Sequence, residues 1–141
     1  MFRLLLTALV ILVSMGGAHA KLAGCYQRIY TDAELKRHPD MKVAAIQLQF
    51  GKLAGDPKSS GQVAGKFRGE KDWSGSIIYC VDTGASTICH VEGDGGQFSV
   101  TEFPKQIEVS AANFNFDDEH SVGGKDEHEF HLYPVSASAC K

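Results

Sequence analysis

Fifteen residues near the C-terminus, Asp117 to His131, hold three histidines and six carboxylates, and Asp-Glu-His occurs twice among them. Imidazole nitrogens and carboxylate oxygens are donors that zinc, nickel and copper accept. To act together they must reach one face of one element. Gly123-Gly124 stands where a two-residue β-turn would join two strands, and that register sets His120 opposite Glu127, Asp118 opposite Glu129 and Phe116 opposite His131. The expected face gathers Asp118, His120, Glu127, Glu129 and His131 as a divalent-metal set, in which a cation would relieve the repulsion between the opposed Asp118 and Glu129. The competing reading is a solvated hairpin tip whose charges keep a sheet edge soluble. A one-residue change of turn would scatter the five side chains over both faces.

Other chemistry is thinner. His38 and His90 are isolated histidines. Gly61-Gln-Val-Ala-Gly65-Lys66 has three residues between its glycines where a phosphate loop has four, and Phe67 stands where Ser or Thr would bind magnesium. No Gly-x-Ser-x-Gly elbow occurs. The expectation is therefore a protein that is not an enzyme and carries no cofactor.

The cysteines speak to compartment. Residues 1–20 read as a secretory signal peptide: Arg3 in the n-region, an apolar run from Leu4 to Val13, and Ala18-His19-Ala20 before the cut. The run is too short to span a bilayer. Export makes the four cysteines a disulfide framework rather than reactive thiols, since no Cys-x-x-Cys pair is present. If Gly84 and Ala85 are the central residues of a type II′ turn, Thr83 faces Ser86 and Cys80 faces Cys89 in a close cross-strand pair. Cys25 is then left to pair with Cys140, tying the two ends of residues 21–141 together.

Those residues make one domain. Removing Arg3 with the leader takes the basic count from 14 to 13 against 17 acidic residues, a formal charge of −4, which argues against nucleic acid as a partner. Thr31-Asp-Ala-Glu34 has the spacing of a capping box, so a short helix starts there and stops before Pro39. Two-residue alternation then marks strands at Val43–Phe50, Val63–Arg68, Trp73–Val81, Ser86–Val91, Phe98–Thr101, Ile107–Val109, Asn113–Asp118 and Glu129–Val135. The expected fold is all-β, an antiparallel sandwich or small barrel of about eight strands with one short N-terminal helix. In the Gly123-Gly124 register, Phe114 and Phe116 share one side of the last hairpin and Phe130 and Leu132 the other, so an apolar partner surface there is a further possibility.

Cys25-Tyr26, Arg28, Tyr30, Leu35 and His38-Pro39-Asp40 resemble the mature N-terminus of small exported bacterial proteins of uncharacterised function. The likeness covers sixteen residues, 25–40. It implies a bacterial envelope setting and brings no activity or substrate with it. The functional expectation is an exported, non-enzymatic binding protein, periplasmic or secreted, that engages a protein or envelope ligand without a membrane span. A divalent-metal-binding protein using residues 117–131 is the alternative.

Overall fold

The computed structural model describes residues 22–51, 55–56, 58–124 and 126–140. The expected leader lies outside the described residues, as do Lys125 and part of the 51–61 loop. The elements in chain order are β1 (Gly24–Ile29), α1 (Asp32–Arg37), β2 (Val43–Phe50), β3 (Gly61–Phe67), β4 (Trp73–Asp82), β5 (Thr87–Val91), β6 (Gly96–Phe103), β7 (Gln106–Asn115), β8 (Ser121–Val122) and β9 (Phe130–Val135). A 3-10 turn, Ala137–Ala139, follows.

Strands β1 to β7 form a meander in which each pairs antiparallel with the next, and β9 returns between β7 and β1 to close the ring. The result is an eight-stranded antiparallel barrel, with β8 as an extra strand on β7. Closure removes the unpaired edges that an open sheet would expose.

The count of eight matches the alternation in the sequence, but its membership differs. β1 occupies a stretch whose mixed pattern gave no strand signal. Ile107–Val109 and Asn113 belong to one strand, β7, because the break between them is a bulge and not a turn. Gln97 pairs with Asn113 and Ser99 with Ser110, so Ala111 and Ala112 together oppose Phe98. Ala111 takes a left-handed backbone, φ 49°, a conformation that costs an L-residue about 1 kcal/mol.

An eight-stranded barrel has an interior just wide enough for side chains to fill it. Here Ile46, Leu48, Ile78, Phe98, Ile107, Phe114, Phe116, Phe130 and Leu132 are fully buried inside. Phe116 packs edge-on to Phe67 and Phe114, and Phe114 in turn meets Phe98. The Phe116 ring lies over Gly65, where a Cβ would come within 2.8 Å of it; only glycine admits that approach. Phe114, Phe116, Phe130 and Leu132 are thus core, and the apolar partner surface considered for them does not form. The barrel wraps around these residues, so none of their faces is left outside.

The two ends of the barrel are built differently. One carries the β2–β3, β4–β5 and β6–β7 connections with the first and last of the described residues, and it holds the two disulfides, Cys25–Cys140 and Cys80–Cys89. Thr83 N–H donates to the Ser86 carbonyl (2.8 Å) across a turn in which Gly84 has φ 89°. Cys80 therefore pairs with Cys89 as the turn geometry requires, with Cα atoms 4.0 Å apart. The other end carries α1 and residues 116–129, and polar groups close it.

Candidate functional site

At the helix end, Thr31 and Glu34 make the expected capping box: Glu34 accepts from the Thr31 N–H (2.8 Å) and Thr31 Oγ1 from the Glu34 N–H (3.2 Å). Glu34 also pairs with Arg28 of β1, so the first turn is held to the barrel. Past the helix, Arg68 donates to three carbonyls, those of Met41, Leu35 and His38, each at 2.6 Å. One guanidinium thus fixes the α1 C-terminus and the loop into β2 together.

Residues 116–129 do not form the hairpin expected at Gly123-Gly124. The reversal comes earlier. Asp117 Oδ1 accepts the N–H groups of Glu119 (2.9 Å) and His120 (2.8 Å), and Phe116 N–H donates to the His120 carbonyl (2.8 Å). This side-chain-stabilised turn closes the chain at 116–120 and pairs Phe114 with Val122 and Asn115 with Ser121. The facing pairs His120–Glu127, Asp118–Glu129 and Phe116–His131 are consequently absent. Asp118, His120, Glu127, Glu129 and His131 are divided among three environments.

His120 stacks on Phe67, with ring centroids 4.3 Å apart. Its Nδ1 lies 2.8 and 2.9 Å from the Asp117 oxygens and 3.3 Å from Ser74 Oγ, and its Nε2 lies 3.0 Å from Glu70 Oε1. A neutral imidazole has one N–H and cannot donate to carboxylates at both nitrogens. The hydrogen bonds to Glu70 and Asp117 raise the His120 pKa accordingly. Burial works against ionisation of Asp117, but hydrogen bonds from Ser74, the Glu119 N–H and His120 outweigh it and hold its pKa down at about 2. With both nitrogens committed to acids, this ring is a latch between the 116–120 turn, the β3–β4 connection and the start of β4. Asp118 lies in the same turn, outside the latch.

Glu127 is turned inward and is only 2% exposed. It accepts from the Val43 N–H at 3.2 Å. Burial pushes its pKa up, and the N–H groups of Lys42 and Val43 offset part of that. Its carboxylate takes the Val43 N–H at the head of β2, beyond the last β1–β2 pair, Ile29–Ala45, and where the β2–β3 register slips between Val43 and Ala45.

Only Glu129 and His131 remain together. His131 Nε2 lies 2.7 Å from Glu129 Oε1 on the outer face of β9, two residues apart. The register of β7 against β9 sets Glu108 directly opposite His131. One donor atom from each of Glu108, Glu129 and His131 falls within 4.8 Å of the other two. Sequence reasoning missed Glu108. Its outward phase between Ile107 and Val109 was readable, but its neighbour on β9 depends on a long-range pairing. Glu70 and Ser74 were missed for the same reason.

Further along the outer face of β7, and across β6 and β5, runs a row of polar side chains at one level: His90 pairs with Gln97, and Gln97 with Asn113. With Asp94 and the bulged Ala111 they line a groove of about 550 Å³. A bulge of this kind bends its strand and increases the local twist.

Fold and surface together define a class: a closed eight-stranded up-and-down antiparallel barrel, cross-linked by two disulfides, with a filled interior and polar features on its outer wall. No protein-family model, curated protein or solved structure matches the chain.

Proposed function

We propose that this chain is an exported, non-enzymatic binding protein of the bacterial envelope that takes its ligand on the outside of the barrel. The filled interior carries this reading, because side chains occupy the space in which a carrier or barrel enzyme would hold a small molecule. The disulfides at one end fit an oxidising, non-cytoplasmic location. Recognition then falls to the outer wall, where the His90–Gln97–Asn113 row offers donors and acceptors at strand spacing, suited to a polar envelope ligand or an extended protein segment.

The test is affinity capture from a bacterial envelope extract. Oxidised protein serves as bait beside a variant carrying His90→Ala, Gln97→Ala and Asn113→Ala. A species retained by the first and lost from the second supports the reading. Recovery of nothing specific, or equal recovery by both baits, removes it.

A further inference from the structure

We propose that Glu108, Glu129 and His131 form a divalent transition-metal site on the outer face of β7 and β9. The site differs from the five-residue set expected from the sequence. It keeps only two members of that set and adds a carboxylate from a strand some twenty residues upstream. The inference is independent of the function proposed above.

Backbone pairing fixes the geometry. His131 and Glu108 are directly opposed in the β7–β9 ladder, and Glu129 precedes His131 by one strand period on the same face. Rotamer freedom therefore decides only the last ångström or so. A tetrahedral ion with metal–ligand distances of about 2.0–2.2 Å spaces its donors about 3.4 Å apart. Donor atoms at the 4.8 Å limit need to draw in by about 1.4 Å, and the Glu129–His131 pair, now at 2.7 Å, to open by about 0.7 Å.

Charge points the same way. Glu108 forms no ion pair with a Lys or Arg among the described residues, and the only partner of Glu129 there is His131. Two carboxylates thus converge on one imidazole with no Lys or Arg paired to them among the described residues, an arrangement that a bound cation relieves. One nitrogen and two oxygens suit zinc or copper rather than calcium, which prefers an all-oxygen shell of six or more ligands. Three protein ligands would leave a fourth position for water or an exogenous group. His120 is excluded, since acids already occupy both of its nitrogens.

Calorimetric titration of the oxidised protein with zinc sulfate, and separately with copper sulfate, tests the site. One ion per chain is expected at micromolar affinity. Glu108→Gln, Glu129→Gln and His131→Gln should each weaken it by about tenfold or more, while His120→Gln leaves it unchanged. All three ligand positions lie on the outer face, and circular dichroism will report whether each variant keeps the fold. In the unmodified protein, zinc must also shift the His131 ring resonances ahead of those of His38, His90 and His128, a readout that needs no variant. Absence of saturable binding overturns the proposal. So does affinity that survives His131→Gln or vanishes with His120→Gln, or a zinc shift that appears first at another histidine.

Discussion

The two ends of this barrel are closed by different physics. At the terminal end the closure is covalent: Cys80–Cys89 crosses the β4–β5 hairpin toward the interior, and Cys25–Cys140 joins the first strand to the chain's last residues. At the helix end it is polar and ionisable: the Arg68 guanidinium on three carbonyls, the His120 ring between Asp117 and Glu70, and the buried Glu127 on the head of β2. The first closure answers to redox conditions and the second to pH. Each variable thus acts on a different end of one core.

The largest test of that contrast is covalent. Cys25 and Cys140 are 115 residues apart, and chain entropy sets their bridge at no more than about 5 kcal/mol against about 2.6 kcal/mol for the short Cys80–Cys89 loop. Urea unfolding of Cys25→Ser/Cys140→Ser should therefore show a larger loss than Cys80→Ala/Cys89→Ala. The reverse order would mean that packing of the hairpin bridge in the core dominates, and that the terminal end is not held by loop closure.

At the other end, Arg68→Ala removes donors to the carbonyls of Leu35, His38 and Met41 in one step. A cost of about 2 kcal/mol is expected, since charged donors are lost but two of the bonds are solvent-exposed. Hydrogen exchange should locate the change in α1 and the loop to β2, with β4 and β5 protected as before. Spread of the effect to the β4–β5 hairpin would show that the two ends are not separate.

How much of this was legible in the sequence follows from the range of each interaction. The Thr31–Glu34 cap, the β4–β5 turn and the Cys80–Cys89 pairing are settled within a few residues, and the residue types alone specify them. The Ala111 bulge was not readable, because nothing local distinguishes one residue inserted in a strand from a turn between two. Residues 117–131 show why a strong composition signal failed to yield a site. Two turn-forming signals compete there, and Asp117, which binds two backbone N–H groups, prevails over Gly123-Gly124. Phe116 favours that outcome, because its burial over Gly65 ends the strand where the Asp117 turn begins. Core packing across the barrel thus decided the fate of polar residues that seemed to form their own unit.

The smallest effect separates the ends most finely, because it is read as a slope. His120 has a folded pKa above its ordinary 6.5, so its contribution is complete below pH 6.5 and is lost as pH rises through the folded value. Asp117 runs the other way: its contribution is present above 3.8 and is lost as pH falls toward 2. Glu127 is raised above 4.5, and the folded state holds its proton more tightly than the unfolded chain, so it too weakens the fold as pH climbs from 4.5. Stability measured by urea at constant ionic strength should therefore peak in mildly acidic solution and decline above it. His120→Gln should flatten the decline above pH 6.5, and Glu127→Gln the part that starts nearer 4.5. Neither should alter the difference between oxidised and reduced protein, since disulfides carry no proton in this range. If either substitution changes that difference, the ends are energetically coupled, and the barrel has one closure built in two places.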